Sequence, residues 1–298
     1  MVDPEEGDDG GLLWHYTSAS GLMGVLKSSE LWASDCTLLN DENELVEGFS
    51  VARKVCKDFL KSLNPAIESP LIAEFVSFKD NFLQGHWASD FPIFVASLSF
   101  AGNLLSQWRG YCPAGGGYAI GFDPKVINWL ADYHKFHFSR CEYHAKDQEA
   151  KLVDALEPLH IVRNALEQNK GHGSHMALKS KKMEHRFQRK LLAAIALIKN
   201  QGFFEEQEYR LIFPHHVNAT RMNFRPARGN GGALIPFVSF SWKCTEAEAL
   251  PNPVRAIRLG PMPQQQAAKA RLSKFLESIG YIGDRRPVIY VSKTPYRT

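Results

Sequence analysis

The residues best suited to chemistry lie late in the chain, in Phe203-Phe204-Glu205-Glu206-Gln207-Glu208-Tyr209-Arg210-Leu211-Ile212-Phe213. Read as a strand with alternating side chains, Glu206, Glu208, Arg210 and Ile212 share one face. Gln207, Tyr209, Leu211 and Phe213 take the other. Strands disfavour glutamate, so two on one face beside an arginine ask for a reason. At about 7 Å between successive residues of a face, they would build a polar cleft wall. The plainer reading is a solvated edge strand with a surface ion pair. Near the start stands Leu13-Trp14-His15-Tyr16-Thr17. Alone, a single histidine there is more often an ordinary polar residue than a site. A third group joins Ser97 and Ser99, on one face of a strand, to Ser106-Gln107-Trp108-Arg109-Gly110-Tyr111. Trp108 and Tyr111, three apart on a helix, are neighbours able to stack a flat heteroaromatic ring, or simply core. Arg109 offers a planar fork to phosphate.

Other patterns are weaker. His134, His137, Cys141 and His144 have ligand-like spacing, but strand alternation splits them between faces, so no metal site is expected. Gly115-Gly116-Gly117 lacks the spacing of a dinucleotide fingerprint and reads as a turn. Lys179, Lys181, Lys182, Arg186, Arg189 and Lys190 read as the solvated side of a helix, with nucleic-acid binding the alternative.

The elements that position these groups mix without regular βαβ alternation, so the expected class is α+β. A strand over Leu12 to Thr17 precedes a helix capped by Ser18 or Ser20. An extended piece at Leu31-Trp32-Ala33-Ser34 leads to the turn Leu39-Asn40-Asp41-Glu42-Asn43-Glu44 and a helix from Leu45 to Leu60. Strands follow at 92–100, 118–122, 137–143 and 206–213, with a short helix at 104–111. Residues 145–200 change character: Met183, Phe187, Leu191, Ile195 and Ile198 recur at helical spacing, which predicts a helical insertion with a long amphipathic helix. A Gly-rich loop at Gly229-Asn230-Gly231-Gly232, further strands, a helix over Gln264 to Ser278 and a last strand over Val288 to Val291 complete the reading.

The 298 residues, 44% hydrophobic and 22% charged, describe an ordinary globular chain with ample core. The expected organisation is an acidic flexible tail over 1–11 and a single domain over 12–298. No apolar run approaches a membrane span, and the acidic start is no signal peptide. Five scattered cysteines make no disulfide framework, which points to the cytoplasm. The tail's five carboxylates hide a basic surplus: +8 over the remainder against +3 overall, compatible with a phosphate-rich partner.

In this order, His15-Tyr16-Thr17, Asn40-Asp41 with Glu44, Ser106-x-Trp108-Arg109-x-Tyr111 and Glu206-x-Glu208-Tyr209-Arg210 resemble an uncharacterised bacterial domain family over roughly residues 12–290. That family is in turn similar to the ADP-ribosyltransferase superfamily, whose split β-sheet cleft holds NAD. The late Glu-x-Glu resembles arginine-type transferases and the early histidine poly-ADP-ribose-type enzymes. The resemblance implies an ADP-ribosyltransferase-like split sheet with a helical insertion at 145–200. It implies an enzyme that cleaves the nicotinamide–ribose bond of NAD and passes ADP-ribose to a protein or nucleic acid, as a bacterial toxin or anti-phage defence effector. NAD glycohydrolase and an inactive nucleotide or nucleic-acid sensor are the alternatives. Glu208 would stabilise the oxocarbenium-like transition state and Glu206 would activate the acceptor. His15, Tyr16 and Thr17 would hold ribose or carboxamide, with Asn40, Asp41, Ser99 and Arg210 also lining the NAD site. Trp108 and Tyr111 would stack on nicotinamide, and Arg109 would meet the pyrophosphate. No metal is required.

Overall fold

One strand organises the sheet. In the computed structural model, which describes residues 10–36, 44–63, 73, 75–76, 93–113, 116–168, 177–214, 222–226, 234–244 and 249–294, β3 (Ile93–Ser99) pairs antiparallel with β6 (Glu208–Pro214) along its whole length, from Ile93↔Pro214 to Ser99↔Glu208. Its other edge is divided. β1 (Leu13–Thr17) meets it only at Trp14↔Ser99, and β2 (Glu30–Asp35) only at Ser34↔Val95 and Asp35↔Phe94. Between those contacts, at Ala96 to Leu98, β1 and β2 part from each other.

Two wings grow from the parting. On one side β1 continues through β4 (Tyr118–Phe122) and β9 (Val254–Leu259) to β10 (Val288–Val291). On the other, β2 continues through β8 (Leu234–Ser241) to β7 (Asn223–Pro226). Beyond β6 lies β5 (His137–Arg140). Only β9 and β10 run parallel among these pairs. The chain is therefore α+β, with a largely antiparallel sheet.

Alternation sends each strand's residues to two different cores. Leu13, Phe94, Ala96, Leu98, Leu211 and Phe213 join one cluster with α1 (Ala19–Ser28), α4 (Pro124–His134) and α8 (Gln265–Ser278). Ile93, Val95 and Ile212 face the opposite way, under α2 (Glu44–Lys61) and the insertion helices α5 (Ala145–Ala155), α6 (Glu157–Gln168) and α7 (Ala177–Ile195). A third cluster on that same side of β1 gathers Trp14, Tyr16 and Ala119 around Trp108 of α3 (Leu105–Tyr111). The helices expected in 145–200 are thus present and cover β6. Among the described residues no helix is long and apolar enough to cross a membrane.

Local signals explain several boundaries. Ser18 caps α1, its hydroxyl accepting from the Gly21 amide at 3.1 Å. Asp123 caps α4, with Pro124 in the first turn, where its missing N–H costs nothing. One boundary corrects the sequence reading. The strand starts at Glu208, because Gln201–Glu206 coils into a 3-10 helix and Gln207 takes a left-handed conformation at φ 43°. Likewise β5 stops at Arg140 and does not reach Tyr143. The expected tail lies outside the described residues except for Gly10 and Gly11.

Where α2 crosses the end of α7, Gly48 is pressed so close that an added Cβ would sit 2.5 Å from the Ile195 carbonyl oxygen. That backbone atom has no rotamer to give. Gly48→Ala should therefore destabilise by about 1–3 kcal/mol through overpacking. Gly110→Ala, where nothing lies within 4 Å, should be neutral or slightly stabilising. Urea unfolding of both variants checks the contrast.

Candidate functional site

Every residue of β1 is buried except His15, and every residue of β3 is buried except Ser97. These two half-exposed positions meet: His15 Nδ1 lies 3.2 Å from the Ser97 carbonyl oxygen. A carbonyl only accepts, so this contact puts the proton on Nδ1. The carbonyl belongs to the stretch of edge from which β1 and β2 have parted, so the histidine satisfies a group that no strand reaches. β1 and β3 are thus least covered where these two residues meet. If the β2–β3 ladder continued past Ser34↔Val95, Trp32 would stand opposite Ser97. Instead Trp32 remains 45% exposed on the rim, its ring stacked on Phe237 at 4.4 Å and 26°.

One strand away from the opening lies a buried ion cluster. Arg210 forks onto Glu208, with Nε 2.7 Å from Oε1 and Nη2 3.1 Å from Oε2. Arg210 Nη1 donates to the Ala196 carbonyl at 2.6 Å. Lys199 Nζ ion-pairs with both Glu206 and Glu208, and lies 5.2 Å from the centre of the Phe203 ring. The Glu208 amide donates to the Tyr143 hydroxyl at 2.8 Å, and burial holds that phenol well above its ordinary pKa. Burial alone would also push the Glu208 carboxyl up. The Arg210 and Lys199 charges and hydrogen bonds outweigh it and bring the group down to about 2. Two cations and two carboxylates balance, which is how so polar a group stays inside.

The local backbone creates this arrangement. Asn200 caps the 3-10 turn by accepting from the Gly202 amide at 2.9 Å. The turn ends at Gln207, whose positive φ is uncommon for a residue with a Cβ. This turn brings Glu206, which is not in the strand, to the same ammonium as Glu208. Within the strand the expected alternation holds: Glu208 and Arg210 share the side of Ile212, against the insertion, and Leu211 and Phe213 take the other.

The expected constellation is brought together only in part. Trp14, Ser99 and Glu208 stand in one row across β1, β3 and β6. His15, the next residue, therefore leaves the opposite face from Glu208, and the two border the opening from different sides. Glu208 was expected to line an open cleft; it is 4% exposed and both oxygens are taken. Arg210 is equally enclosed, serving Glu208 and not a ligand. Trp108 was expected to stack on nicotinamide. It is 3% exposed, packs edge-on to Tyr16 at 4.6 Å, donates through Nε1 to Asn103 and lies against Gly260. Tyr111 lies half-buried beside the same cluster. Arg109 is exposed.

Tyr16 and Thr17 are buried too: the Tyr16 hydroxyl donates to the Ala101 carbonyl at 2.6 Å and accepts from the Leu104 amide. Ser99 spends its hydroxyl on the Glu206 carbonyl at 2.6 Å, tying the 3-10 turn to β3. Asn40 and Asp41 lie outside the described residues. Two participants escaped the sequence reading. Lys199 stands apart from any motif, although a lysine directly after the apolar run Leu191 to Ile198 was a signal. Trp32 was visible only as one residue of an extended piece.

The cluster ties stability to pH with a definite sign. A carboxyl whose folded pKa lies below its ordinary value stabilises at neutral pH and loses that contribution as pH falls. For Glu208 the window runs from the ordinary carboxylate range down to about 2. Glu208→Gln leaves Lys199 and Arg210 buried without that charge, and should cost about 3–5 kcal/mol at pH 7. Urea unfolding at neutral and acid pH should show the gap between wild type and variant shrinking as the medium is acidified. A gap independent of pH would remove the ionic account.

Residues 107–211, from α3 into β6, match a family described as a protein of unknown function, DUF2971. The matched segment carries Trp108, Arg109, Tyr111, Lys199, Glu206, Glu208 and Arg210. No curated protein and no solved structure matches the chain.

Proposed function

We propose that this chain is an NAD-using enzyme of the ADP-ribosyltransferase type, which breaks the nicotinamide–ribose bond and passes ADP-ribose to a macromolecular acceptor. The observation that carries the reading is the parting at His15 and Ser97, the two incompletely buried residues of the otherwise buried strands β1 and β3, one strand from Glu208. An early-strand histidine and a late Glu-x-Glu are the features by which the sequence resembles that superfamily, and strands that part along β3 are compatible with the split sheet it implies. Its role as a toxin or defence effector, and its place in the cytoplasm, rest on the resemblance and on the free cysteines.

On this reading the two glutamates take other roles than the sequence suggested. Glu208 is the anchor that holds Lys199 and Arg210 in place. Glu206, at the more accessible end of the cluster with 13% of its side chain exposed, is the carboxylate that meets the ribose as positive charge develops. One exchange precedes chemistry: Lys199 leaves Glu206 for an anionic group of the dinucleotide, which frees the carboxylate. His15, its ring fixed by the Ser97 carbonyl, borders the ligand from the other side of the opening. Binding without catalysis is the second reading, favoured by one observation: both oxygens of Glu208 are engaged.

Incubation with labelled NAD and separate protein, RNA and DNA pools distinguishes these readings and hydrolysis. Nicotinamide release with label on one pool is the expected result. Glu206→Gln, which leaves the buried Glu208–Arg210 fork intact, should fold normally and lose turnover by a factor of order 10²–10³. Full turnover in that variant would remove Glu206 from the mechanism. If the folded wild type binds NAD yet releases no nicotinamide with any pool, the chain is a sensor and not a transferase.

A further inference from the structure

The wing formed by β2, β8 and β7 has two unlike faces. Its inner face is core: Leu31, Ala33, Val238 and Phe240 belong to the main hydrophobic cluster. On its outer face Trp32 is level with Ser239, and Ser34 with Phe237, which in turn pairs with Asn223. Phe237 supports one side of the Trp32 indole, which fixes the ring and leaves 45% of the residue exposed. Arg225 holds its place on this face by donating from Nη2 to the Ser34 hydroxyl at 3.1 Å. The carboxylate there is Glu30, which accepts from the Ser239 hydroxyl at 3.1 Å. A rigid aromatic ring among hydroxyls and a guanidinium is an unusual surface for a strand to leave in water.

The charge of this part of the chain is one-sided. From Tyr209 to Thr245 there is no aspartate or glutamate. The same stretch supplies β7, β8 and their connection, and contains Arg221, Arg225, Arg228 and Lys243 together with Gly229-Asn230-Gly231-Gly232. Acids are otherwise frequent, 32 in the whole chain, so their absence from β7 and β8, the strands that continue the wing of the exposed ring, is a local property. Cationic side chains attract a phosphate backbone, and an exposed, braced indole takes any base by its π-face. A duplex offers no unstacked base to such a ring.

We propose that the outer face of the β2–β8–β7 wing binds single-stranded nucleic acid. A base stacks on Trp32, and Arg225 beside it meets a phosphate. This inference rests on the exposed wing and its charge, and it stands whether or not the chain turns over NAD.

Fluorescence anisotropy with end-labelled RNA and DNA single strands of about 12 nucleotides, using the full chain, tests it. Saturable binding of either strand is expected, weakening steeply between about 50 and 200 mM salt. Trp32→Ala should weaken binding about 5- to 100-fold. Trp32→Phe should recover most of it, and Trp129→Ala, which removes an exposed indole on α4, should change nothing. Arg225→Ala should lower the salt slope by about 1. If Trp32→Ala fails to fold by circular dichroism, Arg225→Glu carries the test and must weaken binding. The inference is overturned by absence of saturable binding to both strands. It is equally overturned by full affinity in folded Trp32→Ala or Arg225→Glu, or by a duplex or a polyglutamate peptide binding as tightly with no dependence on Trp32.

Discussion

A strand has two edges, and β3 must serve three neighbours. β6 takes one edge entire, so β1 and β2 share the other and cannot both run along it. Much of the architecture follows from that shortage of edge. The two strands diverge into separate wings, and α1, which joins them, packs across one face of the parting. The backbone left between them is polar and would be costly to bury unpaired. His15 supplies the missing partner for Ser97, and this is why the histidine sits where every other β1 residue is buried.

The insertion is held to the sheet by charge as well as by apolar contact. Leu191 to Ile198 pack under α2 and β6 in the ordinary way. At the point where this run ends, Lys199 and the Ala196 carbonyl meet the carboxylates and the guanidinium of the β6 end. Burying ions gains little over a well-packed apolar core, but separating them afterwards is expensive. The cluster therefore specifies where α7 stops and how β6 enters the sheet, more than it adds to net stability. The cost falls on function: a carboxylate that fixes a helix is not at the same time free for a ligand. On the proposed reading, the reactive carboxylate is therefore Glu206, with 13% of its side chain exposed, and not Glu208.

Periodicity made much of this fold legible. The long apolar repeat in 183–198 announced α7, and alternation assigned the correct faces of Glu208, Arg210 and Leu211. Asp123-Pro124 was an equally clear helix start for α4 that pattern-reading passed over. What local pattern does not carry is which edge or face another element will cover. Leu13-Trp14 and Leu31-Trp32 are the same dipeptide in two neighbouring strands. Trp14 is fully buried beneath the α3 cluster, and Trp32 is 45% exposed, because among the described residues only one of their wings has a helix packed on that side. Trp108 illustrates the reverse error: its spacing from Tyr111 suits a stacking site, yet Tyr16 and Gly260 already occupy its surroundings. Lys199 was hidden for a related reason, since its partners are defined by a turn at Gln207 that no propensity demands.

The same asymmetry between wings determines how a ligand reaches the opening. On the Ser97 side of the sheet, one approach is blocked by Val95 and Ile212 beneath the α2 and α7 layer. A second is blocked by Trp14, Tyr16 and Trp108. The remaining direction runs along the wing of β2 and β8, where Trp32 stands in water beside Ser239. Among the described residues, the braced indole is the large exposed side chain on that approach. The proposed nucleic-acid surface would border that approach, on the same side of the sheet as the Ser97 side chain. Trp32, absent from every motif that drew attention to this chain, would then belong to the approach as well as to the exposed wing.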